Sequence, residues 1–443
     1  MFRQLGKPVA ALLGAAILAL APGAHAQNEQ FIPMNGYWVG PYAAGGSGVF
    51  GGYIDYINMV NAKGGINGVK LTYEKCETEY NNARGVECYE RSKKKGPTGA
   101  SLVMPLSTGI TYSLIDKGTS DHIPIVSIGY GRTDAADGRV FPWIFPLITT
   151  YWSQATAMLK FIGMKEGGGT EKLKGKKIVL VYHDSAYGKE PIPVLESQAQ
   201  RFGYELHTIA VAHPGNEQQA QWLQVRQIKP DWVILWGWGV MNPTALKAAA
   251  RIGFPRNKIV AVWWSGAEED AIPAGDAAKG YYAAAFNVSG TNYPVIKEIE
   301  KTVYAKGKGE MEDRSRIGSI YYNRGVVFGV VATEAIRTAQ ARYGKGKPMT
   351  GEQIRWGLEH LNIDEKRLKE LGATDFMQPL KVSCADHEGG GAVRFLQWDG
   401  KKWNTVTGWI ASDRDVVRPM IEESAAKYAK EKGITPRDCS KES

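Results

Sequence analysis

Cysteine and histidine are scarce in this chain, with four Cys and seven His among 443 residues. No C-x-x-C pair and no Cys/His cluster with zinc spacing occurs, so a metal site has no ligand set in the sequence. H-E-x-x-H and G-x-S-x-G are both missing. His183-Asp184-Ser185 has the residue types of a triad, but three chain neighbours cannot orient one another in that way. A P-loop also fails, since the stretch from Gly169 to Gly175 is one residue too long and Lys176 is followed by Lys177. Catalysis therefore has no constellation to rest on, and a non-enzymatic role without a cofactor is expected. Past the first 26 residues no uncharged apolar run reaches the roughly 18 residues of a membrane span. Basic residues exceed acidic ones, 54 to 45, but they are scattered and not interleaved with stacking aromatics, so no nucleic-acid partner is implied.

What is present is the composition of a folded globular protein, 44% hydrophobic and 22% charged, long enough for two to three domains. Residues 1–26 read as a secretory signal. Arg3 and Lys7 precede the apolar stretch Val9 to Leu20, and Ala24-His25-Ala26 supplies the cleavage pattern before Gln27. Export permits disulfides. Four cysteines allow three pairings, of which Cys76 with Cys88 and Cys384 with Cys439 are the most local; buried free thiols are the alternative.

Short β-branched runs alternate with helix-length amphipathic segments. Strands are expected at 31–39, 71–76, 101–104 and 123–128, with helices at 48–62, 82–95 and 110–119 between them. After a helix at 151–164 the pattern restarts, with strands at 177–183, 206–212, 232–236 and 258–263. Two successive blocks of this kind predict an α/β fold of two Rossmann-like lobes with parallel sheets. A further strand at 280–286, helices at 293–306, 320–343 and 351–361, a hairpin turning at Asp399-Gly400 and a charged helix at 417–432 follow. These extra elements imply that the chain crosses between the lobes more than once.

Gly46-Ser47-Gly48-Val49-Phe50-Gly51 matches G-x-G-x-x-G, and Glu74 lies where a dinucleotide fingerprint places its acid. An exported NAD(P)-dependent oxidoreductase is thus the competing reading, weakened because Pro41 to Gly45 separate the strand from the motif. The cluster Glu268-Glu269-Asp270 is expected to cap a following helix, where the dipole favours negative charge.

Ligands of open α/β sheets bind at the carboxyl ends of strands. In the first lobe those ends carry Tyr42 to Gly45, Ser107-Thr108 and Tyr130-Gly131; in the second they carry Tyr187, Trp236, Trp238, Trp263, Trp264 and Ser265. Ser107 and Thr108 either cap the helix that follows or grip a ligand together with its free amides. Of Trp263 and Trp264 only one can face a cleft.

The stretch from Gly40-Pro41 through Asn61-Ala62-Lys63-Gly64-Gly65-Ile66-Asn67-Gly68 resembles the opening of type I periplasmic solute-binding proteins of the branched-chain amino-acid ABC transporters. Gly85 to Lys95, Ser107 to Thr111, His183-Asp184 with Tyr187-Gly188, Ala248 to Phe254 and Gly275 to Gly280 fit the same family in order, over residues 30 to 410. The resemblance implies two lobes joined by three hinge crossings, a membrane ABC permease as partner, and a small-molecule ligand in the cleft. It divides the chain into lobe 1 (27–147 and 287–376), lobe 2 (148–286 and 377–410) and a tail at 411–443. Carried over, the first-lobe contacts fall on Ser107, Thr108, Tyr130 and Gly131, and the second-lobe aromatics on Tyr187 and Trp238. Trp264, Ser265, Tyr42 and Gly45 complete the candidate site. Amino-acid-binding members place an acid after the last major strand of lobe 2, but here Trp263 to Gly266 carry none before Glu268. The expected ligand is accordingly a small organic acid or amide with an apolar or aromatic body, ahead of an ordinary amino acid. A monomer is expected, either delivering its ligand to the permease or presenting it to a sensor. The exported chain should begin at Gln27; intact mass of protein recovered from the periplasm tests this, and a mass retaining the leader overturns it.

Overall fold

The computed structural model describes Met1, Phe2 and residues 28–441, so all but the first two residues of the expected leader lie outside the described residues. In the first lobe, Glu29–Phe31 pairs in parallel with Lys70–Thr72, and Met34–Gly36 with Lys75–Glu77. Single parallel bridges, Phe31 to Ala100 and Val103 to Ile125, join these to Ile125–Ile128, which pairs with Ile144–Leu147. In chain order the neighbours run second, first, third, fourth, fifth, the doubly wound arrangement. The expected strand at 101–104 makes only those bridge contacts. The strand Ile144–Leu147 has no counterpart in the sequence reading, because Pro146 within it weakens the strand pattern and fits only a sheet edge.

The second lobe repeats the arrangement. Glu205–Val211, Lys177–His183, Trp232–Trp236, Ile259–Ala261 and Tyr282–Ala285 lie side by side and parallel. The antiparallel strand Ala392–Trp398 and its hairpin mate Trp403–Thr405 extend the sheet. Ile178 to Val181 and Trp232 to Trp236 are buried throughout, as centre strands covered on both faces must be.

Three crossings join the lobes, and they are hydrogen-bonded to one another. Ile148 N donates to Glu388 O (2.8 Å) and Gly391 N to Ile148 O (2.8 Å), while Asn287 and Met377 form an antiparallel bridge. Within the last crossing, Leu380–Lys381 pairs with Asn362–Ile363.

The helices Ala43–Ala62 and Ile320–Tyr343 pack closely, and this is where the G-x-G-x-x-G glycines belong. A methyl group at Gly46 would strike Tyr37, at Gly48 Tyr321 and Arg316, and at Gly51 Met311. The motif lies inside the helix and faces protein, leaving no room for a pyrophosphate; Glu74 pairs with Lys95 and Arg91 at the surface. The dinucleotide expectation is therefore corrected. The acidic cluster serves not the next helix, as expected, but the start of Ile320–Tyr343 in the other lobe: Glu268 Oε2 accepts from Ile320 N (2.8 Å) and Glu269 Oε1 from Ser319 Oγ (2.8 Å). Asp270 turns inward to accept from Ala267 N and Tyr321.

The tail lies across both lobes. Ile410–Ala411 pairs with Ala392 and Val393, and Asp413 N donates to Thr156 Oγ1 (2.9 Å). The helix Arg414–Lys432 then reaches the first lobe, where Tyr428 stacks on Phe141 (4.7 Å) and Ser424 donates to Asp134 (2.7 Å). Disulfides join Cys76 to Cys88 and Cys384 to Cys439, the latter tying the tail to the last crossing. Among the described residues no helix is long and apolar enough to cross a membrane. The bridges close segments of 12 and 55 residues. In the chain-entropy account these are worth about 3 and about 4 kcal/mol. Replacing Cys384 and Cys439 with Ala should cost about 1 kcal/mol more than replacing Cys76 and Cys88, measured by urea unfolding of each double variant. The reverse order would show that chain entropy does not set their contribution.

Candidate functional site

At the carboxyl ends of both sheets the lobes meet over a small pocket lined by Tyr80, Leu106, Ser107, Thr108, Tyr130, Tyr151, Tyr187, Trp238 and Trp264. Not one of these side chains is an acid, a lysine, an arginine or a histidine. The floor is the start of the helix Thr108–Asp121. Ser107 is its N-cap and accepts from Ile110 N (3.3 Å), and Thr108 Oγ1 accepts from Gly131 N (3.2 Å). The first amides of a helix have no partner in its own ladder, and its dipole makes this end positive.

The walls are aromatic. Trp238 meets Trp264 edge-on (5.4 Å between centroids, 80°), and Tyr130 meets Trp264 likewise (6.1 Å, 70°). Such pairs add about 0.5–1.5 kcal/mol each beyond burial. Hydroxyls are held by the backbone: Tyr187 donates to Gly237 O (2.8 Å), and Tyr130 donates to Val126 O (3.1 Å) and accepts from Leu106 N (2.9 Å). Burial raises the Tyr130, Tyr151 and Tyr187 phenols far above their ordinary range, so all remain neutral donors.

The structure brings six of the ten candidate residues to the cavity wall: Ser107, Thr108, Tyr130, Tyr187, Trp238 and Trp264. Four stand behind or beside it. Gly131 supports Thr108, Ser265 donates to Gly237 O (2.9 Å), Gly45 packs against the Trp238 ring, and Tyr42 closes the cleft. Trp236 and Trp263 are core residues, packed on Tyr151 at 5.4 and 5.8 Å. Tyr80, Leu106 and Tyr151 belong to the wall without having been singled out. Tyr80 and Leu106 sit past strand ends with left-handed backbone (φ 58° and 49°), a turn that no nearby glycine signals in the sequence. Tyr151 follows the unforeseen strand Ile144–Leu147, so its place at a strand end was hidden.

The lobes are closed on one another. Tyr42 OH and His183 Nε2 share a hydrogen bond (2.8 Å) across the mouth, beside an outer cleft lined by Tyr80, Ser107, Tyr187, His183 and His213 among others. Burial, with His213 adjacent, lowers His183 to about 3, so the imidazole is neutral. Deeper in, Trp263 and Trp264 donate their indole N–H groups to Gly129 O (2.7 and 2.9 Å). On the far side of the cleft, Glu190 of the second lobe accepts from Tyr112 OH, Thr133 N (3.2 Å) and Thr133 Oγ1 (2.7 Å) of the first. Its carboxyl is buried, which pushes it up to about 7. Among the described residues no cluster of His, Cys, Asp or Glu could hold a metal.

Residues 29–402 match the family model of the periplasmic binding proteins. None of the curated proteins matches. Among solved structures, one described as an ABC transporter permease from the Pseudomonas fluorescens group is 48% identical, with a TM-score of 0.87 over 93% of this chain and 99% of its own. A branched-chain amino-acid ABC transporter protein from Thermus thermophilus with bound valine shares the fold at 22% identity, TM-score 0.75, over 88% of this chain and 99% of that one. A solute-binding protein from R. palustris in complex with benzoate does so at 18%, TM-score 0.65, over 87% and 97%. With a family model spanning most of its length and two lobes closed over a cleft at their strand ends, this chain belongs to the periplasmic binding protein family.

Proposed function

We propose that this solute-binding receptor traps a small organic acid with an apolar or aromatic body and hands it, unaltered, to a membrane ABC permease. One observation carries the ligand class: an aromatic pocket between the lobes with no charged lining and a helix start at its floor. The carboxylate lies against the amides of Thr108 and Gly109 and the hydroxyls of Ser107 and Thr108, where the dipole favours negative charge. The body lies between Tyr130, Tyr187, Trp238 and Trp264. An amino acid's ammonium would find no carboxylate in this wall and would lose its hydration without compensation. The bound valine and benzoate of the two neighbours lie within this range of ligand size, and benzoate is the better match for an uncharged aromatic wall. About −8 kcal/mol corresponds to micromolar affinity, a sum that several ring contacts and a few hydrogen bonds reach.

Closure stores the selectivity. The ligand touches both lobes only when they are shut, so it draws a pre-existing open–closed equilibrium toward the closed state. Glu190 couples that equilibrium to protons. With the lobes apart its pKa is that of an ordinary Glu, about 4.3; in the closed cleft it is about 7. Closing therefore takes up a proton between those values, and binding weakens as pH rises through that window and levels off above it.

In a thermal-shift screen, benzoate and 3-methylbutanoate should raise the melting temperature, and valine and lysine should raise it less. A larger shift with valine than with any acid would overturn the ligand class. Trp238→Ala should weaken binding of the best acid at least fivefold by calorimetry while the protein remains folded by circular dichroism; unchanged affinity removes Trp238 from the site. For wild type, affinity should fall roughly sixtyfold between pH 5 and pH 7.5, and Glu190→Gln should flatten that profile. A slope that survives the substitution assigns the proton to another group.

A further inference from the structure

Behind the pocket wall lies a cation with no carboxylate paired to it. Arg324, in the helix Ile320–Tyr343, is 0% exposed. Its Nε donates to Asn287 Oδ1 (3.0 Å) and Nη1 to Trp263 O (2.7 Å), while Nη2 is buried with no hydrogen-bond partner. The guanidinium stands 4.5 Å from the Trp264 ring, 4.6 Å from Phe286 and 5.6 Å from Tyr321. Burial lowers it to about 10, which leaves it charged at neutral pH. Asp270 is near enough to act on it, but that carboxyl already accepts from Asn242, Tyr321 and Ala267 N, and burial pushes it up to about 7. The charge of Arg324 also acts on Tyr151 and Tyr187, which line the pocket.

Burying a charge without a partner is costly, and two neutral hydrogen bonds with three ring faces offset only part of it. A side chain needed only to tie the second crossing to Trp263 could do so uncharged. We propose that Arg324 is a specificity-determining residue, a buried positive charge behind Trp264 that makes the pocket prefer a carboxylate over its neutral amide without touching the ligand. The inference rests on the reading of this cavity as the ligand site. With Trp264 against the body and the carboxylate at the helix start beyond it, the charge stands roughly 12 Å from the anion, where an effective dielectric of about 20 gives a preference of about tenfold.

The test is calorimetric titration of wild type, Arg324→Lys and Arg324→Met with two matched pairs, benzoate and benzamide, and 3-methylbutanoate and 3-methylbutanamide. Wild type should bind each acid at least tenfold more tightly than its amide. Arg324→Lys should keep most of that ratio, and Arg324→Met should lower it about tenfold by losing acid affinity alone. If Arg324→Met weakens acid and amide equally, or leaves the ratio intact, the residue only holds the hinge and the proposal falls while the ligand class stands. If wild type binds the amides as tightly as the acids, or binds no acid, the proposal falls whether or not the variants fold, and the ligand class falls with it.

Discussion

The carbonyl of Gly129 accepts two indole N–H groups, from Trp263 and Trp264, and the closed cleft is organised around that contact. Gly129 ends the strand Ile125–Ile128 with a left-handed turn (φ 70°), and a side chain there would strike Phe286 and the Trp263 indole. The acceptor belongs to one lobe and both donors to the other. Because Trp263 and Trp264 are adjacent in a single 3-10 turn, fixing both indoles on one oxygen fixes the direction of each ring. Trp263 then completes the core against Tyr151 and Phe286, and Trp264 becomes the wall that Tyr130, Trp238 and Tyr321 pack against. A buried acceptor with two donors is fully satisfied only when the lobes are shut, so the same bonds that shape the pocket also favour its closed form.

Much of this was legible in the sequence, and the failures have identifiable physical causes. Runs such as Ile178-Val179-Leu180-Val181 announce a strand covered on both faces, and the structure buries all four residues. Strand-end loops pointed to Ser107, Thr108, Tyr130, Tyr187, Trp238 and Trp264 because position along a sheet, unlike a pocket's shape, can be read from periodicity. Ile144-Phe145-Pro146-Leu147 escaped because proline argues against a strand everywhere except at an edge, and edge status is a tertiary fact. Losing that strand also hid Tyr151, whose role depends on where the strand stops. The glycines at 46, 48 and 51 show the opposite failure. Their spacing is shared by two physical demands, close approach of a phosphate and close approach of other protein groups, and only the neighbours Tyr37, Tyr321 and Met311 decide between them.

The distribution of charge is as informative as the aromatic wall. Ionisable groups crowd the seam between the lobes: Glu190 on Thr133, Glu268 on Ile320, Asp270 on Tyr321, and Arg324 on Asn287 and Trp263. None of them enters the pocket. A charged side chain in a pocket that opens and closes must lose and regain its water in every cycle, and a fixed counter-charge would bind its ligand's opposite with little regard to the rest of the molecule. Backbone amides, hydroxyls and indoles avoid that penalty because their dipoles are already oriented by bonds to the sheet.

This arrangement separates two tasks that a single ion pair would confuse. On the proposed reading, neutral donors and ring faces touch the ligand, and Arg324 acts on its polar end only from behind Trp264. The energy of closing is left to the seam, where burial pushes Glu190, Glu268 and Asp270 up to about 7. A carboxyl perturbed in this way only on closing makes the closed state slightly reluctant, and that reluctance is useful in a receptor. Were the shut form too stable, it would close without ligand and release too slowly when it had one. The tail bridges the same seam: it begins on the second lobe at Asp413, reaches the first beside Phe141, and is fastened at Cys439 to the crossing that carries Cys384. A ligand that bridges both lobes then has to outweigh that resistance at the seam, so closure follows occupancy.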